Sequence, residues 1–135
     1  MPFNMFWSMR RLSAAAFVCL LSAVTLAAAQ ATSARIVIQD SPLAGFKYYE
    51  GKELWDQLKV GDALRLVREP ANSHDASAIR VEWKERMLGY VPRRENAHLA
   101  RQMDRGAAIE ARITELQSRR NGRYLISYEI FVQLK

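Results

Sequence analysis

Residues 109–132 carry the pattern that leaves this chain the fewest options. Ile109, Ala111 and Ile113 alternate with Glu110, Arg112 and Thr114, and Tyr124, Ile126, Tyr128, Ile130 and Val132 line one side of a second run. A period of two throws successive side chains to opposite faces, which suits a strand and not a helix. Between the runs stands Asn121-Gly122, two residues that tolerate the positive φ values of a tight hairpin turn. The spacing predicts that 109–117 pairs antiparallel with 123–132.

The same period recurs upstream. Ile36 and Ile38 share one face, Leu64 and Leu66 oppose Arg65, and Ile79, Val81 and Trp83 alternate with Arg80, Glu82 and Lys84. Lys84-Glu85-Arg86 predicts a second, looser hairpin, while Gly61-Asp62 and Pro70-Ala71-Asn72-Ser73 mark further turns. One stretch breaks the period. Between Pro92 and Arg105, Leu99, Ala100 and Met103 fall at helical spacing, with proline at the start and Gly106 just past the end. A shorter helical turn is expected over 50–58, with Leu54 and Leu58 inward. Trp55 and Trp83 are assigned to the core. Several short strands with one or two short helices predict a mainly β domain, a small OB-like barrel closed or nearly so.

The first thirty residues are of another kind. Arg10 and Arg11 precede an apolar run over 12–29 that closes on Ala27-Ala28-Ala29-Gln30-Ala31, and no acidic residue appears before Asp40. Basic start, apolar middle and small residues at the end are the layout of a secretory leader. Residues 1–29 are therefore read as a signal peptide, with Met9 as an alternative start and cleavage after Ala29 or Ala31. Residues 30–34 form a lead-in and 35–135 the domain. This places the protein in the periplasm or outside the cell. The competing reading is a retained anchor, since about 20 apolar residues span a bilayer, but Ser13, Ser22 and Thr25 interrupt the run. Cleavage would remove Cys19, the one cysteine, so no disulfide is available to the mature chain. It would also lower the net charge from +6 to +4, a balance that permits an anionic partner without demanding one.

Catalysis has little to stand on. Neighbouring His74 and Asp75 point apart on an extended backbone, and His98 falls on the outer face of the expected helix. Two histidines without cysteine partners give no familiar zinc spacing, and no nucleophile motif or phosphate-cradling glycine loop is present. Neither an enzyme nor a cofactor is expected.

Four phrases, in order, carry a resemblance. They are Gly45-Phe46-Lys47-Tyr48-Tyr49; the run from Gly61 to Pro70 (GDALRLVREP); the run from Asn72 to Val81 (NSHDASAIRV); and Leu88-Gly89-Tyr90-Val91-Pro92-Arg93. Together they resemble the HIRAN domain, from about Ile36 to the C-terminus. The resemblance implies an OB-like barrel that captures the 3′ end of single-stranded DNA. Aromatics flank the terminal base, an acid meets the 3′-hydroxyl, and basic groups hold phosphates. Carried over by position, Lys47 falls on a phosphate contact, Tyr48 on a base-stacking aromatic, Asn72 on a polar contact and His74 on a second stacking position where tyrosine is common. Asp75 falls on the hydroxyl-binding acid, Tyr90 on a polar phosphate contact and Arg93 on a basic one. The ATPase, RING and helicase segments that accompany this domain elsewhere are absent from this sequence.

The residue types suit that chemistry. Single-strand binders combine cations with flat side chains on which bases stack. Arg93-Arg94 open the expected helix, where unpaired backbone N–H groups and the helix dipole favour phosphate. An acid such as Asp75 fits among phosphates only if it accepts a hydrogen bond from a hydroxyl. The plainer readings stand beside this one. Asn72 and Asp75 are well suited to fold their own loop through side chain-to-backbone bonds. Arg93-Arg94 and Arg119-Arg120 suit solvated surface, and at most one of Tyr48 and Tyr49 can leave the core if both lie on a strand. Two other functions share the scaffold: an envelope domain that binds a protein partner and no nucleic acid, and a receptor for an acidic envelope polymer.

Overall fold

The computed structural model describes residues 34–134; the expected leader, residues 1–29, and most of the lead-in lie outside the described residues. Six strands and a few helical pieces make up the domain. Strand β1 (Arg35–Pro42) is followed by a 3₁₀ turn (Phe46–Tyr48), helix α1 (Gly51–Leu54), a second 3₁₀ turn (Trp55–Gln57) and β2 (Ala63–Arg68). Then come β3 (Ile79–Trp83), β4 (Arg86–Tyr90), helix α2 (Arg93–Asp104), β5 (Glu110–Ser118) and β6 (Tyr124–Gln133). All neighbouring strands run antiparallel in the order β1-β6-β5-β2-β3-β4. The expected mainly β, OB-like architecture is what is found. The sheet does not close into a full barrel; a single antiparallel bridge, Ala44 to Tyr90, ties the chain after β1 to β4 at the opposite edge.

The alternating runs bury the faces their period predicts. Ile79, Val81, Ile113, Ile126, Tyr128 and Ile130 are at most 2% exposed and meet Leu88 and Leu99 in one core. Each such side chain contributes about 1.5–3 kcal/mol by leaving water. Leu54 and Leu58 point inward as expected, Trp83 is buried and Trp55 packs partly buried against the core, and His98 is exposed. Glu95, in the first turn of α2, accepts a hydrogen bond from Ser41 Oγ at 2.7 Å and so fastens the helix to β1.

Three expectations need correction. Ile36 and Ile38 do not pack a shared face inward: they are 54% and 41% exposed. Strand β1 is an edge strand whose register shifts between Val37 and Gln39, and the bulge breaks the period of two. The two hairpin turns are also the reverse of the expectation. Lys84-Glu85 is the tight one, with φ of 46° and 65° and Trp83 paired directly with Arg86. This is the mirror-image two-residue turn that matches strand twist. At Asn121-Gly122 only the glycine has positive φ, and Asn121 Oδ1 accepts a bond from Arg123 N–H instead. Bonds from Gly122 N to Arg119 O and from Arg119 N to Arg123 O make this a looser turn with a glycine bulge. Finally, Tyr48 lies with Lys47 in a 3₁₀ turn, not on the strand that would send one of Tyr48 and Tyr49 into the core. Phe46 is the side chain that turns inward, and Tyr48 is 71% exposed.

Candidate functional site

A cavity of about 310 Å³ opens where the β2–β3 loop, the end of β4 and the start of α2 converge. Its walls include Ala44, Tyr49, Asn72, His74, Asp75, Tyr90, Arg93 and Asn96. Five of the seven residues singled out from sequence thus meet at one place: Asn72, His74, Asp75, Tyr90 and Arg93. The volume lies at the small end of the roughly 300–1,000 Å³ typical of ligand clefts. That is room for about one nucleoside-sized group.

Local hydrogen bonds build the loop. Asn72 Oδ1 accepts from the backbone N–H of His74 (2.9 Å) and of Asp75 (3.2 Å), so its carbonyl oxygen is spent on the turn. Asp75 Oδ1 accepts from Ser77 N–H at 2.9 Å. Arg68 pins the loop from behind: its guanidinium donates to the carbonyls of Ala78 and Ala76 and holds Asp104, at the end of α2, through two bonds of 2.9 and 3.1 Å.

Asp75 is the chemical centre. Its Oδ2 accepts a 2.7 Å hydrogen bond from Asn96 Nδ2 on α2, and Arg93 Nε stands 4.0 Å away. The Asn96 bond, with help from Ser77 N–H and Arg93, holds the Asp75 carboxyl below its usual range despite partial burial. At neutral pH the group is a carboxylate and can only accept. Arg93 is mostly exposed at the helix start, beside backbone N–H groups that carry no side-chain cap.

Tyr90 is oriented by its hydroxyl, which donates to Glu69 at 2.9 Å. Burial and then Glu69 push this phenol up to about 12. Its hydroxyl hydrogen is thus engaged by Glu69 in this structure. Tyr49 meets it edge-on, with centroids 5.8 Å apart and planes at 66°.

Lys47 and Tyr48 are not brought to this cavity. They line a second one, of about 510 Å³, on the other side of the 43–49 segment. Tyr49 takes the aromatic place by the first cavity. Sequence reasoning missed Asn96 and the loop clamp Arg68. Asn96 carried a signal: it shares a helical stripe with Leu99, Ala100 and Met103, and a polar residue on an apolar stripe needs a partner.

The HIRAN domain model matches residues 36–135, nearly the whole described chain. The chain belongs to the HIRAN family. A solved protein from Lactobacillus plantarum superposes with a TM-score of 0.60 at 27% identity, over 73% of this chain and 97% of that one. The HIRAN domain of human HLTF superposes with a TM-score of 0.59 at 21% identity, over 75% and 80%, a likeness of fold alone. Among curated proteins, the Fanconi-associated nuclease 1 homolog of Oryza sativa subsp. japonica is 35% identical over 77 residues. That match covers 54% of this HIRAN chain and 8% of the nuclease, so the chain spans under a tenth of the relative's length.

Proposed function

We propose that this HIRAN domain binds single-stranded nucleic acid and seats a free 3′ end in the cavity around Asp75. The observation that carries the reading is an ionised carboxylate, fixed by Asn96, inside a cleft walled by aromatics and opened toward Arg93 and a helix N-terminus. Facing phosphates alone, such a carboxylate would repel its ligand; a terminal hydroxyl donates to it. Tyr49 and His74 offer flat surface to the last base, and Arg93 with the first turn of α2 draws the phosphate behind it. Family membership supports the same ligand class, since a protein named as a nuclease carries a matching segment.

The domain acts as a reader without a reaction of its own. A carboxylate held below its usual pKa by two hydrogen bonds is a weak general base at neutral pH and a good fixed acceptor. The leader-like residues 1–29 support export to the periplasm or beyond. A purified mature chain beginning at Gln30 or Thr32 by mass spectrometry would agree with that, and an intact N-terminus would not. The ligand is tested by comparing labelled single strands that end in a 3′-hydroxyl with strands that end in a 3′-phosphate. A preference for the hydroxyl supports end capture.

A further inference from the structure

Asp75 has more acceptor capacity than the loop and the helix use. An ionised carboxylate offers about four lone pairs to donors, two on each oxygen. Ser77 N–H takes one on Oδ1 at 2.9 Å, and Asn96 Nδ2 takes one on Oδ2 at 2.7 Å. Arg93 Nε, 4.0 Å from Oδ2, stands beyond hydrogen-bond reach. Among the described residues no other donor bonds to either oxygen. One lone pair is thus left on each oxygen, and the side chain, 20% exposed, lines the cavity. A second polar group on the cavity wall is also half used. Asn72 Oδ1 is engaged by the N–H groups of His74 and Asp75, while its Nδ2 donates to no group among the described residues. The wall therefore offers two acceptor positions on one carboxylate, with an amide donor on the same loop.

One hydroxyl fills half of that capacity; a vicinal diol fills it. In a ribose the 2′- and 3′-hydroxyls stand side by side on one face of the ring, as the two oxygens of a carboxylate do. Each hydroxyl can then donate to its own oxygen, and a hydroxyl oxygen can accept from Asn72 Nδ2. A carboxylate holds the ribose 2′-hydroxyl in the same way at dinucleotide sites. A 2′-deoxyribose supplies one donor and leaves the other lone pair to water. We propose that the Asp75 cavity selects the sugar of the captured end, accepting the 2′- and 3′-hydroxyls of a terminal ribose together, so that an RNA 3′ end is preferred to a DNA one. The 2′-hydroxyl is the group by which a protein tells the two apart. This preference rests on the end-capture reading and deepens it by naming the sugar, which is not the deoxyribose that the resemblance implies. Asn96 and Ser77 hold the carboxylate in place before the ligand arrives, so little ordering is left to oppose the second bond.

The test uses four strands of one sequence, labelled at the 5′ end, that differ only in the last sugar: ribose, 2′-deoxyribose, 3′-deoxyribose and 2′,3′-dideoxyribose. The affinity of the protein for each is read by fluorescence anisotropy. The ribose end should bind tightest, about tenfold above either end with a single hydroxyl, the scale of one hydrogen bond to a charged group. The dideoxy end should bind weakest. Asp75→Asn keeps the shape but removes the charge and one acceptor oxygen, and should bring the four affinities together. Adenosine 5′-monophosphate carries the same diol without a strand, and competition with it separates the two sources. Displacement only at far higher concentration than the unlabelled ribose-ended strand supports the strand end; displacement at equal concentration would overturn the strand as the source of the diol. Equal affinity for the ribose and 2′-deoxyribose ends, both above the dideoxy end, would overturn the sugar preference and leave end capture standing. Tighter binding of the 2′-deoxyribose end would do the same, by showing that the 2′-hydroxyl is excluded. Equal affinity for all four would overturn both readings. The ranking is measured on the wild type, so it decides the matter even if Asp75→Asn fails to fold.

Discussion

Asn96 and Asp75, 21 residues apart in the chain, are joined by a 2.7 Å hydrogen bond in which the helix carboxamide donates to the loop carboxylate. Asn96 is 2% exposed and sits on the apolar side of α2, so the bond fixes the loop to the helix as well as orienting the acid. A buried amide aimed at an ionised group is the stronger kind of hydrogen bond.

Asn96→Ala should therefore cost about 1–2 kcal/mol of stability in a denaturant titration, since it removes a hydrogen bond to a charged group. The partial exposure of Asp75 keeps the cost at the low end, because water can take over the vacated lone pair. The same variant should raise the Asp75 pKa toward the usual carboxylate range, observable by NMR titration. An unchanged titration would mean that Asn96 does not govern this carboxylate.

Acid should act on the loop and on the helix start together. Asp75 is held low first by Asn96, and Glu95 first by Ser41, from usual values of 3.8 and 4.5. The folded state then binds these protons less readily than the unfolded chain. Their contribution to stability is complete above the usual values and disappears as the pH falls through the lowered ones. Stability and 3′-hydroxyl preference should both be level from neutral pH to about pH 5, then fall at lower pH. A preference that disappears already at pH 6 would contradict its assignment to the carboxylates.

Gly89→Ala should cost about 2–3 kcal/mol, the scale of an overpacked interior. A methyl group there would lie 2.2 Å from the carbonyl oxygen of Ala44, which accepts the N–H of Tyr90 in the bridge between the sheet edges. Backbone cannot yield as a flexible side chain does. A melting temperature equal to wild type would show that the bridge is not rigid.

Glu85→Gly should stabilise the domain by about 0.5–1 kcal/mol. Lys84 and Glu85 both hold positive φ in the two-residue turn, at about 1–2 kcal/mol for an ordinary residue, and glycine relieves one of them at some cost in chain entropy. A lower melting temperature would contradict this explanation of the turn.

The fold was largely legible because burial follows the period of two: Ile79, Val81, Ile113, Ile126, Tyr128 and Ile130 are all inside. What escaped was set by neighbours rather than by pattern. The bulge in β1 turns on its register against Phe131 and Ile130. The turn at Lys84-Glu85 takes its strain from the pairing of Trp83 with Arg86, against the preference of its own residues. At the site, the loop from Asn72 to Asp75 and the start of α2 were placed by phrase order alone. Tyr48 and Tyr49 were ambiguous because a strand and a 3₁₀ turn send adjacent side chains to different places. Arg68 looked like an ordinary strand residue, since its partners, Ala76, Ala78 and Asp104, meet it only in the folded chain.

The most direct test of end capture is fluorescence anisotropy of the protein with labelled single strands ending in a 3′-hydroxyl or a 3′-phosphate, for the wild type and Asp75→Ala. End capture predicts tighter binding of the hydroxyl end by the wild type, and no preference in the variant. Equal affinity of the wild type for both ends, or a preference that survives removal of the carboxylate, would contradict it.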